Sequence, residues 1–256
     1  MSRLRIPVGD TELYAVDDSG GTPALLFLSG GFGTVRNWKH VLRCLAGKYR
    51  TVRFDARARG KSGTSADYSV RAAVGDVGTV INATGIERPI VIGWSHGATI
   101  AVRYASQHPE QVRGLVLVDG AYPIAMFDEA GKEKVRAQFR RLGWMMRILA
   151  AFGRSARMSA DESAGVVIEM DAVNGELGPD FEALECPTVF VVGTGGHPGA
   201  TEEEMATVRA AVTEAEQRND RVSVFATTPH RHTQILSKAP ETVLAAIEEV
   251  ARESAR

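Results

Sequence analysis

The sequence has little of what would mark a metal site, a secreted scaffold or a highly charged partner. It holds only two cysteines, Cys44 and Cys186, far apart and without C-x-x-C spacing, which excludes a disulfide framework and a cysteine zinc site and leaves two small thiols for the core. Its 30 lysines and arginines nearly balance 31 acidic residues, for a formal net charge of -1. That balance gives no basic stripe for nucleic acid and no polybasic anchor for a membrane, so neither partner is expected. No apolar run approaches the roughly 20 residues that cross a bilayer, and residues 1–9 lack the apolar stretch of a signal peptide. A soluble, cytoplasmic protein is the expectation. Internal repeats are missing, as are H-E-x-x-H, a Walker A loop and a G-x-G-x-x-G after the first strand, so no metal and no cofactor is expected.

What is present is an alternation of short apolar runs and helical segments over 256 residues, the signature of a mostly parallel, doubly wound α/β sheet. Strands are expected at 13–16, 24–29, 51–54, 89–93, 114–118, 188–192 and 221–225, several too uniformly apolar for a half-exposed sheet. Helices are expected at 38–46, 70–84, 95–107, 201–217 and 240–252, the last opened by Pro240. From 120 to 185 the rhythm breaks, and two amphipathic patterns replace the strands. The first places Val135, Phe139, Leu142, Met146 and Leu149 on one helical face at spacings of four and three. Lys132, Arg136, Arg140 and Arg147 point elsewhere, either as a basic lid for an acidic substrate or, with Glu133 and its acidic neighbours interspersed, as an ordinary solvated face. The second opens on the capping box Ser159-Ala160-Asp161-Glu162 and carries Val166, Val167, Met170 and Val173 on one side. Trp144, Met145, Met146 and Phe152 either line a pocket or pack between these helices.

Gly93-Trp94-Ser95-His96-Gly97 directly follows the apolar run Pro89-Ile90-Val91-Ile92, and a breaker-free helical stretch follows it up to His108-Pro109. Strand, G-x-S-x-G and helix in that order look like a nucleophile elbow, in which a strained turn exposes the serine and bulky side chains two residues away would clash. The plainer alternative is a strand-to-helix turn with a solvent-facing serine.

With the elbow on a central strand and a helical insertion further on, the chain resembles the α/β-hydrolase superfamily, in its serine-nucleophile branch with a helical cap. The likeness also rests on Leu28-Ser29-Gly30-Gly31-Phe32-Gly33 followed by Trp38, similar to the family's H-G-G loop with Ser29 in place of histidine. It rests as well on Asp55-Ala56-Arg57-Ala58-Arg59-Gly60-Lys61-Ser62, similar to the D-x-R-G-x-G-x-S turn with Ala58 for its first glycine, and read as structural. The resemblance implies a core formed by 1–120 and 186–256 with a cap at 121–185, and Ser95 as nucleophile. It also implies an oxyanion hole from the amides of Gly31 and His96, and a base from the loop Thr227-Thr228-Pro229-His230-Arg231-His232, with His232 favoured over His230 by its distance from Pro240. Phe32 and Trp94, with Trp144, Met145 and Met146, are candidates for the substrate pocket. His40, His108 and His197 have no such context. Most relatives carry the triad acid after the strand beyond the cap, yet that turn here is Gly193-Thr194-Gly195-Gly196. A smaller set of the superfamily places the acid at the end of the strand before the cap, the place that Asp119 occupies, which by this resemblance is the candidate acid, against a Ser–His pair or an acid elsewhere.

The implied activity is cofactor-free hydrolysis of a carboxylic ester, thioester, lactone or related small acyl substrate. Serine at the elbow argues against the superfamily's dehalogenases and epoxide hydrolases, which use aspartate. A C–C hydrolase, acyl transferase or biosynthetic cyclase on the same Ser–His scaffold is the alternative, and a small-ligand receptor without catalysis is another. Oligomeric state stays open, with a homo-oligomer possible.

Overall fold

The computed structural model describes residues 1–151, 156–196 and 201–255; Phe152 and His197 lie outside the described residues. In chain order the elements are β1 (Ser2–Val8), β2 (Thr11–Asp18), β3 (Gly21–Leu28), α1 (Lys39–Leu45), β4 (Tyr49–Phe54), α2 (Val70–Thr84), β5 (Ile90–Trp94), α3 (His96–Gln107) and β6 (Gly114–Val118). There follow α4 (Glu129–Ala151), α5 (Ala160–Gly175), α6 (Gly178–Glu182), β7 (Thr188–Gly193), α7 (Glu202–Arg218), β8 (Val222–Thr228), α8 (Ile235–Lys238) and α9 (Pro240–Glu253). The strands form one sheet in the order β1-β2-β4-β3-β5-β6-β7-β8. It is antiparallel at β1, β2 and β4 and parallel from β4 to β8.

Alternate residues of the central strands feed two separate cores, because successive side chains of a strand point to opposite faces. Leu26, Val91, Leu115, Leu117 and Phe190 pack on one face against α2, α3 and α7. Leu25, Phe27, Ile90, Ile92, Val116 and Val191 pack on the other against α1 and α9. A strand covered on both faces must be apolar throughout, which is why these runs show no polar alternation.

The edge strand β1 is the element missing from the sequence expectations. Leu4, Ile6 and Val8 do alternate with polar residues, but Pro7 interrupts the run and argues against a strand. An edge tolerates it, since β1 pairs on one side only, with β2. Between β6 and β7 the chain holds only helices among the described residues. Ser159 caps α5 as its motif predicts: its Oγ accepts from the Glu162 amide at 3.1 Å, and Glu162 Oε2 accepts from the Ser159 amide at 2.7 Å. Chain order reverses where β3 meets β5, so the loops leaving these strands open a crevice at their carboxyl ends. Ser29-Gly30 leaves one strand there and Ser95 the other.

Candidate active site

Ser95 makes the turn from β5 into α3 by itself, with φ 55° and ψ -124°. A non-glycine residue held at positive φ costs about 1–3 kcal/mol and persists only where its surroundings enforce it. Here they do. The Ser95 amide donates to the Val118 carbonyl at 3.0 Å, and the Ser95 carbonyl accepts from the Ala98 amide at 2.8 Å. A Cβ on Gly93 would lie 2.5 Å from Ala98 Cα, and one on Gly97 would lie 2.2 Å from the Leu28 carbonyl oxygen. Both distances are far inside contact, so the spacing of the pentapeptide is a steric requirement.

β6, the neighbour of β5, ends at Val118, and Asp119 follows with φ 47°. Its carboxylate is 5% exposed. Oδ2 lies 2.7 Å from His232 Nδ1, while Oδ1 accepts from the Tyr122 hydroxyl at 2.5 Å and from the Gly193 amide at 3.0 Å. Burial pushes this carboxyl up, but the bond and charge of His232 and the bonds from Tyr122 and Gly193 outweigh it and hold it below its usual value. An ionised carboxylate only accepts, so Nδ1 of His232 donates this bond. The imidazole stacks on Trp94, with ring centroids 5.4 Å apart.

His230 takes no part in this contact. Its amide donates to Thr228 Oγ1 at 3.3 Å and its carbonyl accepts from the Gly195 amide at 3.3 Å, which shapes the loop that presents His232. The turn after β7, bare of carboxylates, has a steric role here. A Cβ on Gly193 would stand 2.8 Å from Ile235 Cδ1 and 3.2 Å from Asp119 Oδ2, and one on Gly195 would stand 2.8 Å from the backbone of His230. Small residues leave room for Asp119 to reach across and for the histidine loop to pack down.

On the other side of Ser95, the loop after β3 is pinned by the residue that replaces histidine. Ser29 Oγ accepts from Trp38 Nε1 at 3.0 Å and donates to the Thr34 carbonyl at 3.2 Å, and the Gly33 amide donates to the Gly30 carbonyl at 2.9 Å. That last bond orients the peptide plane that carries the Gly31 N–H. The loop lies against the elbow: a Cβ on Gly30 would be 3.2 Å from Ser95 Cβ, and one on Gly31 would be 3.8 Å from His96 Nδ1. The His96 ring is buried, and burial, then the nearby Arg59, lower its pKa to about 3, so it stays neutral.

A profile of the α/β hydrolase fold family matches residues 23–161, more than half of the chain. The chain belongs to the α/β hydrolase fold family. It is 32% identical over 141 residues to a fluoroacetate dehalogenase from a Burkholderia species, covering 53% of this chain and 46% of the relative. The chain therefore spans less than half the length of that curated relative. Among solved structures it resembles one from a study of carboxylesterases of the thaumarchaeon Nitrososphaera gargenis, with a TM-score of 0.77 at 17% identity over 98% of this chain and 99% of that one. A thermophilic esterase from Thermogutta terrifontis gives a TM-score of 0.75 at 20% identity, over 99% of both chains. At such identities the likeness is one of fold.

In this α/β hydrolase a cavity of about 470 Å³ opens beside Ser95, Asp119 and His232. Its walls come from Thr99 on α3, Tyr122, Met126 and Phe127 after β6, Met170 and Asn174 on α5, and Met205 and Val208 on α7. Among the described residues, none of the sequence candidates for the pocket is among its lining residues. Trp144 is 67% exposed and Met145 39% exposed, because the apolar face of α4 that packs on α5 excludes them. Met146, half-buried on the same helix, does not reach the cavity either. Phe32 packs instead on Phe139, with ring centroids 5.5 Å apart, and Trp94 lies behind His232. Met170 belongs to the apolar stripe expected on α5, but Asp171 and Asn174 beside it did not stand out as wall residues. Their signal was two polar side chains, one turn apart, next to an apolar stripe.

Of the four residues of the basic-lid reading, three have acidic partners on the same helix. Lys132 pairs with Glu129 at 2.7 Å, and Arg136 and Arg140 pair with Glu133 at 3.4 and 2.5 Å, and none of these three basic residues lines the cavity. Cys186 is buried, which pushes its thiol up to about 11, while Cys44 is only half-buried. Among the described residues no helix is long and apolar enough to cross a membrane, and no group of three His, Cys, Asp or Glu side chains is placed to hold a metal.

Proposed function

We propose that this α/β hydrolase is a serine esterase-type enzyme that cleaves a small carboxylic ester, thioester or lactone through an acyl-enzyme at Ser95. The observation that carries the reading is the 2.7 Å contact of His232 with a buried, ionised Asp119, on the wall of the cavity that also exposes Ser95. Ser95 Oγ attacks the substrate carbonyl and passes its proton to His232 Nε2, and Asp119 stabilises the imidazolium that forms. The carbonyl electron pair moves to oxygen, where the amides of Gly31 and His96 receive it. Collapse of the tetrahedral adduct expels the leaving group with the proton from His232, and water repeats the sequence to release the acid.

The cavity walls are mainly apolar, with Met126, Met170 and Met205 as flexible thioethers, which suits a neutral acyl group of modest size. In this reading residues 121–185 act as the cap over a core of 1–120 and 186–256. The glycine turn after β7, which kept the C–C hydrolase, transferase and cyclase alternatives open, no longer favours them once Asp119 is seen to meet His232. A fluorophosphonate is expected to label Ser95, and p-nitrophenyl acyl esters to release nitrophenol, in the wild type. Ser95→Ala should lower kcat by about 10⁶ while still binding the product acid. A wild type inert to both reagents, or a Ser95→Ala variant that still turns over, removes the assignment.

A further inference from the structure

The turn Asp55 to Ser62, read from the sequence as structural, contains a buried arginine that structure alone does not explain. Its two arginines differ sharply. Arg57 is held by Asp76 through two bonds, at 2.9 and 2.8 Å. Arg59, only 4% exposed, has no carboxylate within ion-pair distance among the described residues. Its Nε donates to the Gly31 carbonyl at 2.8 Å and its Nη1 to the Arg57 carbonyl at 2.7 Å.

A buried cation without a counter-charge is costly, and its usual remedy is a carboxylate. Here the guanidinium instead bonds the carbonyl of Gly31, the residue whose own amide is the candidate oxyanion donor. His96, beside it, leaves Nε2 buried with no hydrogen-bond partner and stays neutral, so it neither offsets nor adds to this charge.

We propose that Arg59 is a positioning residue for the oxyanion loop and the fixed positive charge that offsets the oxyanion formed when Ser95 attacks. This rests on the serine-hydrolase reading above. Attack turns a neutral pair into a separated one: the proton and a positive charge arrive at His232, and a negative charge arrives on the former carbonyl oxygen. Asp119 faces the first of these charges and Arg59 the second. Because Arg59 bonds Gly31 from behind, it fixes the loop without occupying the place of the substrate, and a preorganised charge needs no reorganisation as the barrier is crossed.

The test is kinetics of Arg59→Lys, Arg59→Gln and Arg59→Met on a short p-nitrophenyl ester, with inhibition at neutral pH by phenylboronic acid, which is mostly neutral and trigonal in that solution and becomes anionic and tetrahedral on the serine. The Gln and Met variants should lose roughly 30-fold in kcat with KM moving less than about threefold. Boronate affinity should weaken in parallel, and Lys should recover most of both losses. If Gln and Met stay within about twofold of wild-type kcat, Arg59 has no such role. If Lys loses as much as Met, or KM carries the loss, the effect is packing and the electrostatic proposal fails. Should Met not fold, Lys against Gln decides. A wild type that neither hydrolyses the ester nor binds the boronate would sink the underlying reading, and this proposal with it.

Discussion

The two flanks of Ser95 hold opposite charges in opposite ways. At one end a buried carboxylate, Asp119, collects three donors, from His232, Tyr122 and Gly193. At the other a buried guanidinium, Arg59, bonds only carbonyl oxygens among the described residues. The histidines differ likewise, since His232 has a carboxylate at Nδ1 and His96 has a buried Nε2 with no hydrogen-bond partner among the described residues. Such an asymmetry suits a reaction that creates a positive charge at one end and a negative charge at the other. A folded scaffold with no chemistry to perform would gain more by pairing the two charges or omitting both.

Removing the anionic end should have the largest effect. Asp119→Asn keeps the shape but lets the side chain donate to Nδ1, which favours the wrong tautomer of His232, and kcat should fall by about 10⁴. Steady-state kinetics of the folded variant check it, and turnover near wild type would remove Asp119 from the site. A smaller effect is expected from crowding the same end. In Gly193→Ala the new methyl would lie 2.8 Å from Ile235 Cδ1 and 3.2 Å from Asp119 Oδ2. The helix after the histidine loop must then shift, and kcat should drop roughly tenfold with little change in KM, since a small misplacement of catalytic groups is felt in the chemical step. Unchanged kcat would show that the turn after β7 has no part in placing His232.

These two ends were not equally legible in the sequence. The elbow could be read because its glycines answer a local steric need, which a pentapeptide expresses in full. Asp119 was reachable only through the family resemblance, in which some members carry the acid before the cap, and in the structure a Cβ on Gly193 would stand 3.2 Å from Asp119 Oδ2, so a bare turn leaves Asp119 its space. Arg59 was hidden inside a turn motif whose other members, Asp55 with its bonds to the amides of Val35 and Lys61 and Arg57 with Asp76, are structural. Nothing in Arg57-Ala58-Arg59 says which arginine finds a carboxylate. The cavity walls were hidden for a different reason. Periodicity shows that α4 and α5 have apolar faces, but which residues of those faces turn to each other and which to Ser95 depends on how the helices sit over the sheet. β1 escaped because Pro7 breaks the local signal, while edge pairing makes the residue harmless.

His96 gives the finest probe of the comparison, because its effect lies in stability as well as chemistry. In the unfolded chain a histidine titrates near 6.5, whereas in the fold burial first, and Arg59 second, lower His96 to about 3. Between those values the unfolded state binds a proton that the folded state refuses. Stability contributed by His96 is therefore complete above about pH 6.5 and is lost as the pH falls, by up to about 1.4 kcal/mol per pH unit until about pH 3. His96→Gln cannot take up that proton, so its stability should depend less on pH over the same window. Urea unfolding of both proteins at pH 7.5, 5.5 and 4.5 measures the difference directly and cancels the other buried groups, such as Asp55 and Asp76, that titrate in both. Equal slopes would mean that His96 is protonated in the fold, and Arg59 would then have a second cation beside it.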